Sequence, residues 1–291
     1  MRTSRFDSCG GRGKTNPQED QSKKCDGSHS RGRIAVVGIG PGALEHMTPK
    51  AKQEIETAEV IIGYETYLKL IRSIIKRNTE VITGGMGQEI ERAKIALMKA
   101  LENKRVAVIS SGDPGIYGMA GLVLEVAERE KAKVEIEIVP GITAATAAAA
   151  TLGAPLMGDF VVISLSDILI PWNLIEKRLR AAAEADFVIV LYNPQSQGRR
   201  EPLSKAHRIL LEHKNPSTPV GIVKRVGREK EETIITTLKE MLDHEVDMVT
   251  TVIIGNSTTR IINQKIVTSR GYDFVGNLNE GQNSPFYLHQ L

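Results

Sequence analysis

The feature that most constrains the fold is a strand that leads into a Gly/Pro turn and then a helix, within residues 104–126. Residues 106–109 are apolar and mostly β-branched, which predicts a buried strand. Residues 110–115 interrupt it with two serines, two glycines, Asp113 and a proline. Apolar side chains then return at helical spacing from residue 116. This order places a ligand at the carboxyl end of a parallel sheet.

The same arrangement occurs twice more in the first half of the chain. A predicted strand at 34–37 is followed by Gly-Ile-Gly-Pro-Gly, and one at 134–139 is followed by Pro-Gly-Ile-Thr. Further strands at 60–62 and 81–82 alternate with helices, which predicts a five-stranded α/β domain over residues 32–152. The three turns are expected to converge at one sheet edge. Because Pro41 removes a backbone N–H from the first turn, this edge suits a ligand without phosphates.

The second half, residues 153–291, is predicted to form another α/β domain. The expected strands are 160–165, 187–192, 220–223 and 248–254, and the expected helices are 172–185, 203–213 and 236–243. A helix of small side chains at 143–151 precedes it and is expected to pack closely against a sheet. Polar residues follow the predicted strands, so the second half also offers side chains for a site.

Composition narrows the function classes. No apolar run approaches the roughly 18 residues of a membrane span, and no secretory signal precedes the fold, so we expect a cytoplasmic protein. The net charge of +3 resides entirely in residues 1–31, which we predict to be a disordered extension. The neutral remainder argues against nucleic-acid binding. Cys9 and Cys25 lie in the extension and are interpreted as free thiols, and no spacing predicts a metal site.

Taken together, the motifs of the first half resemble those of the tetrapyrrole (corrin/porphyrin) methylase family. They are residues 38–42 (Gly-Ile-Gly-Pro-Gly), 47–51 (Met-Thr-Pro-x-Ala), 111–115 (Ser-Gly-Asp-Pro-Gly) and 139–144 (Val-Pro-Gly-Ile-Thr-Ala). The second half resembles the C17-methyltransferase branch of that family in residues 163–167, 171–172, 191–199, 225–229 and 254–257. The resemblance covers about residues 33–273.

The resemblance implies two α/β domains with a cofactor cleft between them, usually in a homodimer. It implies methyl transfer from S-adenosylmethionine to C17 of precorrin-3B or cobalt-precorrin-3, with ring contraction, in vitamin B12 synthesis. The cofactor-binding residues implied are Pro41, Ser111, Gly112, Asp113, Ile116, Thr143, Ala144, Asn193 and Val226. Many relatives have Gly in place of Ser111 and Met in place of Asn193.

The chemistry of this reaction suggests further residues. Displacement at a sulfonium needs alignment more than a strong acid or base, which agrees with the lack of a catalytic triad motif. Ring contraction requires proton transfers, for which our candidates are Ser164, Ser166 and Asp167. The expected substrate contacts are Tyr192, Arg199, Arg225 and Arg228, since forked guanidinium donors suit carboxylates. The arginines could equally be solvated loop charges.

Other functions remain open at this point. The chain could methylate another tetrapyrrole position, although the second-half motifs argue against this. An NAD-dependent dehydrogenase is opposed by Pro41 and by the lack of an acidic residue directly after the second strand. A non-catalytic binding protein has no motif in its favour. The sequence does not distinguish a cobalt-loaded substrate from a metal-free one.

Overall fold

The structure, a computed structural model, describes residues 32–195 and 201–272. The first half contains β1 (Arg33–Gly38), α1 (Pro49–Thr57), β2 (Val60–Tyr64), α2 (Glu65–Ile71), β3 (Glu80–Gly84), α3 (Glu89–Leu101), β4 (Arg105–Ser110), α4 (Ala120–Arg129), β5 (Glu135–Val139) and α5 (Ala144–Leu152). The second half contains β6 (Gly153–Ala154), β7 (Phe160–Ser164), α6 (Trp172–Glu184), β8 (Val188–Tyr192), α7 (Glu201–Leu211), β9 (Pro219–Lys224), β10 (Glu232–Thr237), β11 (Thr250–Ile254), β12 (Thr259–Ile262) and β13 (Lys265–Thr268). Cys9, Cys25 and Arg199 lie outside the described residues.

The first sheet has the order β3-β2-β4-β1-β5 and is parallel throughout, which confirms the predicted five-stranded α/β arrangement. Its central strands are apolar on both faces because helices cover both. Along β1, Ile34 and Val36 pack with α3 and α4. Ala35 and Val37 point the other way and pack with α1. The faces of these central strands are therefore covered by helices, and a ligand is expected at the ends of the strands.

The second sheet has the order β10-β9-β11-β8-β7 and is mixed. Strands β7 and β8 are parallel, whereas β11 runs antiparallel to both β8 and β9. One face packs against α6 and α7. The other face packs against α5, whose Ala145, Ala148 and Leu152 are buried in the same cluster as Val190 and Val223. The predicted close packing of this small-residue helix is thus confirmed, and its partner is the second sheet.

Close approach of α5 explains a glycine in β9. A Cβ at Gly221 would lie 2.3 Å from Cδ1 of Leu152, so a larger residue there would force the buried Leu152 side chain to shift. Helix α5 belongs to the first half by sequence but packs with the second. The domain boundary expected at 152/153 remains a prediction.

Some predicted elements are wrong. The helix expected at 236–243 is replaced by the end of β10 and a 3-10 turn at Met241–Asp243, because the β-branched run before it pairs with β9. The helix expected from residue 116 begins at Ala120. Strands β12 and β13 were not predicted and form a hairpin. Its turn residues Asn263 and Gln264 both have positive φ, as a two-residue hairpin turn requires.

Candidate functional site

The three Gly-containing turns of the first sheet meet, as the sequence predicted. Gly40 and Gly112 form a backbone bridge, with N···O distances of 3.2 and 2.8 Å between them. The third turn lies against this bridge: a Cβ at Gly141 would be only 2.2 Å from the carbonyl oxygen of Gly112. Main-chain atoms at the ends of β1, β4 and β5 thus form one continuous floor.

A cleft opens above this floor, with about 780 Å³ of empty space including its open mouth. Turns of the first sheet and the start of α5 form one wall. The ends of β8 and β9 and the start of β11 form the other. The lining residues are Pro41, Tyr67, Ser111, Gly112, Asp113, Ile116, Tyr117, Thr143, Ala144, Tyr192, Asn193, Arg225, Val226, Arg228, Met248, Val249, Thr250 and Thr251.

The cleft brings together most of the residues singled out from the sequence. All nine predicted cofactor-binding residues line it, as do Tyr192, Arg225 and Arg228. Ser164 lies beside it, since its Oγ accepts a hydrogen bond from Asn193 Nδ2 at 3.0 Å. Ser166 is joined to the same group through its amide, which donates to Ser164 Oγ at 3.2 Å. Asp167 is exposed and does not line the cleft. The roles assigned to these residues remain predictions.

Asp113 organises the turns themselves. Its Oδ1 accepts a hydrogen bond from the amide of Gly115 at 2.8 Å, and its Oδ2 accepts one from the amide of Gly141 at 3.1 Å. The first contact is the local turn chemistry expected of an Asp-Pro-Gly sequence. The second ties the turn after β4 to the turn after β5, so the carboxylate holds the shape of the floor.

Arg228 connects the two walls. Its Nε donates to the carbonyl oxygen of Pro41 at 2.9 Å, and its Nη2 donates to Ser111 Oγ at 3.2 Å. Burial lowers the pKa of Arg228, but a guanidinium stays charged at neutral pH. Two of the Arg228 donors are therefore engaged in contacts within the cleft itself. Arg225, in the same turn, is the arginine more available to bind a ligand.

Tyr192 fixes the start of α5. Its hydroxyl lies 2.5 Å from Thr143 Oγ1 and accepts a hydrogen bond from the amide of Ala145 at 2.6 Å. This satisfies one of the amides that a helix leaves without a partner in its first turn. Burial raises the pKa of Tyr192, against the opposing effect of these hydrogen bonds. Tyr192 therefore lines the cleft while its hydroxyl binds the first turn of α5.

Sequence reasoning missed six lining residues: Tyr67, Tyr117, Met248, Val249, Thr250 and Thr251. The last four precede or begin β11, whereas the predicted site residues of the second half lie at the ends of strands or after them. Because β11 is antiparallel to its neighbours, its beginning lies where β8 and β9 end. Tyr67 comes from α2, and burial raises its pKa.

Residues 32–195 and 201–272 contain no group of three or more His, Cys, Asp or Glu side chains placed to hold a metal ion. In that same part of the chain, none of the helices has the length and apolar character needed to cross a membrane.

Comparison with known proteins gives consistent matches. The sequence profile described as Tetrapyrrole (Corrin/Porphyrin) Methylases matches residues 33–242. A Priestia megaterium protein named cobalt-factor III methyltransferase is 47% identical over 264 residues, which cover 89% of this chain and 48% of that protein. A Salmonella typhimurium protein named probable cobalt-factor III C(17)-methyltransferase is 50% identical over 239 residues, which cover 82% of this chain and 99% of that protein.

The fold has a close counterpart among solved structures. The crystal structure of the methyltransferase CobJ matches with a TM-score of 0.76 and 37% identity, covering 82% of this chain and 100% of that one. The chain spans about half the length of the Priestia megaterium relative and nearly the whole of the Salmonella typhimurium relative.

Proposed function

Because the chain belongs to the tetrapyrrole (corrin/porphyrin) methylase family, we propose that it transfers a methyl group from S-adenosylmethionine to C17 of a vitamin B12 precursor, with ring contraction. The expected family and its α/β fold are confirmed. The observation that carries the proposal is the cleft between the two sheets, which gathers all nine residues implied for the cofactor. A cobalt-containing substrate is favoured over metal-free precorrin-3B because the relatives that are 47% and 50% identical are named for cobalt-factor III, whereas one named for precorrin-3B is 40% identical.

The residues of the cleft suit S-adenosylmethionine chemically. Ser111, Asp113 and Thr143 supply oxygens for a ligand that carries positive charge and hydroxyl groups. The rings of Tyr67, Tyr117 and Tyr192 supply apolar surface for a flat base. The N-terminus of α5, at Thr143 and Ala144, favours a carboxylate through the helix dipole.

When bound, the cofactor would supply an activated methyl carbon with a neutral thioether as its leaving group. The chain's contribution is to hold the donor and acceptor in line and to exclude water, which alone is worth several kcal/mol. The backbone floor is suited to this task because the Gly40–Gly112 bridge and the Asp113 carboxylate fix its shape. No strong base is needed for the transfer itself.

On the substrate side, we propose that Arg225 binds a carboxylate of the macrocycle. Its guanidinium is 3.9 Å from Glu232, and 39% of its side chain is exposed, so it can exchange this weak ion pair for a ligand. Arg228 is assigned mainly to positioning because Pro41 and Ser111 hold two of its donors. Arg199 remains a proposed contact outside the described residues.

The acid/base work of ring contraction is proposed for Ser164, which ends β7, and for Ser166 and Asp167, which follow that strand. A homodimer and a cytoplasmic location are proposed from the family resemblance. The oligomeric state is tested by sedimentation of the full chain: a dimeric mass supports the proposal and a monomeric mass contradicts it.

The decisive experiment has two stages. Calorimetry should first detect saturable binding of S-adenosylhomocysteine and none of NAD. Mass spectrometry then follows a trimethylated precursor, with and without cobalt, after incubation with S-adenosylmethionine. One added methyl with a contracted chromophore supports the proposal. A methyl without contraction limits the function to methylation, and tight cofactor binding without transfer indicates another acceptor.

A matched pair of variants tests the acid/base assignment. Asp167→Asn should slow contraction, whereas Asp159→Asn, just before β7, should not. An Asp167→Asn enzyme that contracts the ring at the wild-type rate would remove Asp167 from the mechanism.

A further inference from the structure

Ser164 occupies a distinctive place beside the cleft. It ends β7, which is one of the two edge strands of the second sheet, and it is paired in register with Tyr192 of β8. It is half-buried, and the next residue along the chain, Leu165, is fully buried. The strand end is therefore anchored in the core while the serine side chain faces the neighbourhood of Asn193.

The hydrogen bonds made to the Ser164 hydroxyl leave it able to act only as a hydrogen-bond donor. A serine hydroxyl has two lone pairs and one hydrogen. Oγ accepts from Asn193 Nδ2 at 3.0 Å and from the amide of Ser166 at 3.2 Å, so both lone pairs are engaged. Among residues 32–195 and 201–272, no hydrogen bond from Ser164 Oγ to an acceptor is present, which leaves the hydrogen for a ligand. An oxygen in this state can donate but cannot take up a proton.

The backbone of Ser164 is also held. Its amide donates to the hydroxyl of Tyr117 at 3.2 Å, and this hydroxyl donates in turn to the carbonyl oxygen of Val162 at 3.1 Å. Tyr117 has φ of 53° and Asn193 has φ of 49°. A left-handed backbone is costly for a tyrosine, and such strain is found where the surrounding structure has to fix a side chain's position.

We propose that Ser164 is a dedicated hydrogen-bond donor to an acceptor atom of the macrocycle, a carbonyl or anionic oxygen, and that Asn193 is the positioning residue that sets this polarity. The inference rests on the proposed function and narrows it. Ser164 no longer serves as a general base in this assignment; it stabilises negative charge that develops on the substrate. Proton removal then falls to another group.

The sharpest test reverses the polarity of the Asn193 contact. In Asn193→Asp, the carboxylate would accept the Ser164 hydrogen and turn it away from the substrate. We expect Asn193→Asp and Ser164→Ala each to lower kcat by roughly 10- to 100-fold, the range for one hydrogen bond to a charged group. The double variant should be no slower than Ser164→Ala. Affinity for S-adenosylhomocysteine, measured by calorimetry, should change by less than about threefold in Ser164→Ala.

Controls separate this role from a structural one. Ser73→Ala, at an exposed serine away from the cleft, should match the wild type. The loss of kcat in Ser164→Ala should be the same factor from pH 6 to 9, because no titrating group is removed. Circular dichroism checks that each variant folds, and Ser164→Cys, which keeps the shape but donates weakly, should also lose rate.

The outcomes are distinct. A wild-type rate in Ser164→Ala or Ser164→Cys overturns the donor role, as does removal of one limb of the pH profile. Additive losses in the double variant overturn the assignment of Asn193. If the wild-type protein fails to bind S-adenosylhomocysteine or to methylate the precursor, the proposed function is overturned together with this inference.

Discussion

Arg228 donates a hydrogen bond from Nε to the carbonyl oxygen of Pro41 at 2.9 Å, between residues 187 positions apart in the sequence. The same guanidinium reaches Ser111 Oγ through Nη2. One side chain therefore joins the turn after β9 to the turns after β1 and β4. Arg228 thus links the two walls of the cleft, alongside the contacts of Tyr192 with Thr143 and Ala145.

Replacing Arg228 should weaken cofactor binding more than folding. Lysine cannot reach both acceptors with a planar fork, so Arg228→Lys should lower the affinity for S-adenosylhomocysteine by about tenfold, the equivalent of one charge-assisted hydrogen bond. Calorimetry measures the change. Arg178→Lys, at an exposed position on α6, is the control and should bind as the wild type does. Equal affinities in the two variants would show that the walls do not depend on Arg228.

Gly141→Ala should destabilise the fold. Its Cβ would lie 2.2 Å from the carbonyl oxygen of Gly112, which is a backbone atom and cannot move aside cheaply. Overpacking of this kind costs about 1–3 kcal/mol or more in the free energy of unfolding. Gly121→Ala in α4 meets no atom within 4 Å and should raise stability by up to about 1 kcal/mol. Urea denaturation compares the two, and equal stabilities would contradict the crowded floor.

Asp113→Asn should distinguish a structural carboxylate from a ligand. An asparagine can accept only through its oxygen, so its NH₂ group would face either Gly115 or Gly141 where a carboxylate now accepts. Stability should fall by about 1–3 kcal/mol. We expect the affinities for S-adenosylmethionine and S-adenosylhomocysteine to fall by the same factor. A selective loss of the positively charged ligand would instead indicate direct contact between carboxylate and sulfonium.

Tyr192 predicts a dependence of stability on alkaline pH. Burial raises the pKa of Tyr192 above its ordinary value of 10.0, so just above pH 10 the folded state keeps a proton that the unfolded state has lost. The free energy of unfolding should therefore fall as pH rises from 10 towards the folded-state pKa. Tyr192→Phe should remove this part of the slope while lowering stability at neutral pH. Denaturation series at pH 8 to 11 measure both effects.

The first half of the chain was predicted well because its signals are local. In β1, β4 and β5, apolar runs stop at glycines or prolines, and parallel topology then dictates that the ends of the strands share one edge. The site residues on these turns, such as Pro41 and Thr143, followed from that rule together with the family motifs. The contacts between the turns could not be predicted in this way, since hydrogen bonds such as that from the Gly141 amide to the Asp113 carboxylate join distant positions.

The second half was predicted less well because its topology is mixed. The interpretation of residues 236–243 as a helix failed once β9 offered a pairing partner to the β-branched run before them. Met248 and Thr251 were missed because the sequence does not reveal that β11 runs antiparallel. The packing of α5 on the second sheet was equally hidden, since alanines fit closely against any apolar surface.

The Gly40–Gly112 bridge is made by main-chain atoms alone. The geometry of the bridge therefore does not depend on which side chains line the cleft above it, such as Tyr67, Ile116 and Met248. A protein engineer could redesign these walls to admit bulkier sulfonium reagents that carry alkyl groups other than methyl, without re-optimising the frame beneath them. The cleft thus combines a fixed main-chain floor with walls whose side chains can be exchanged.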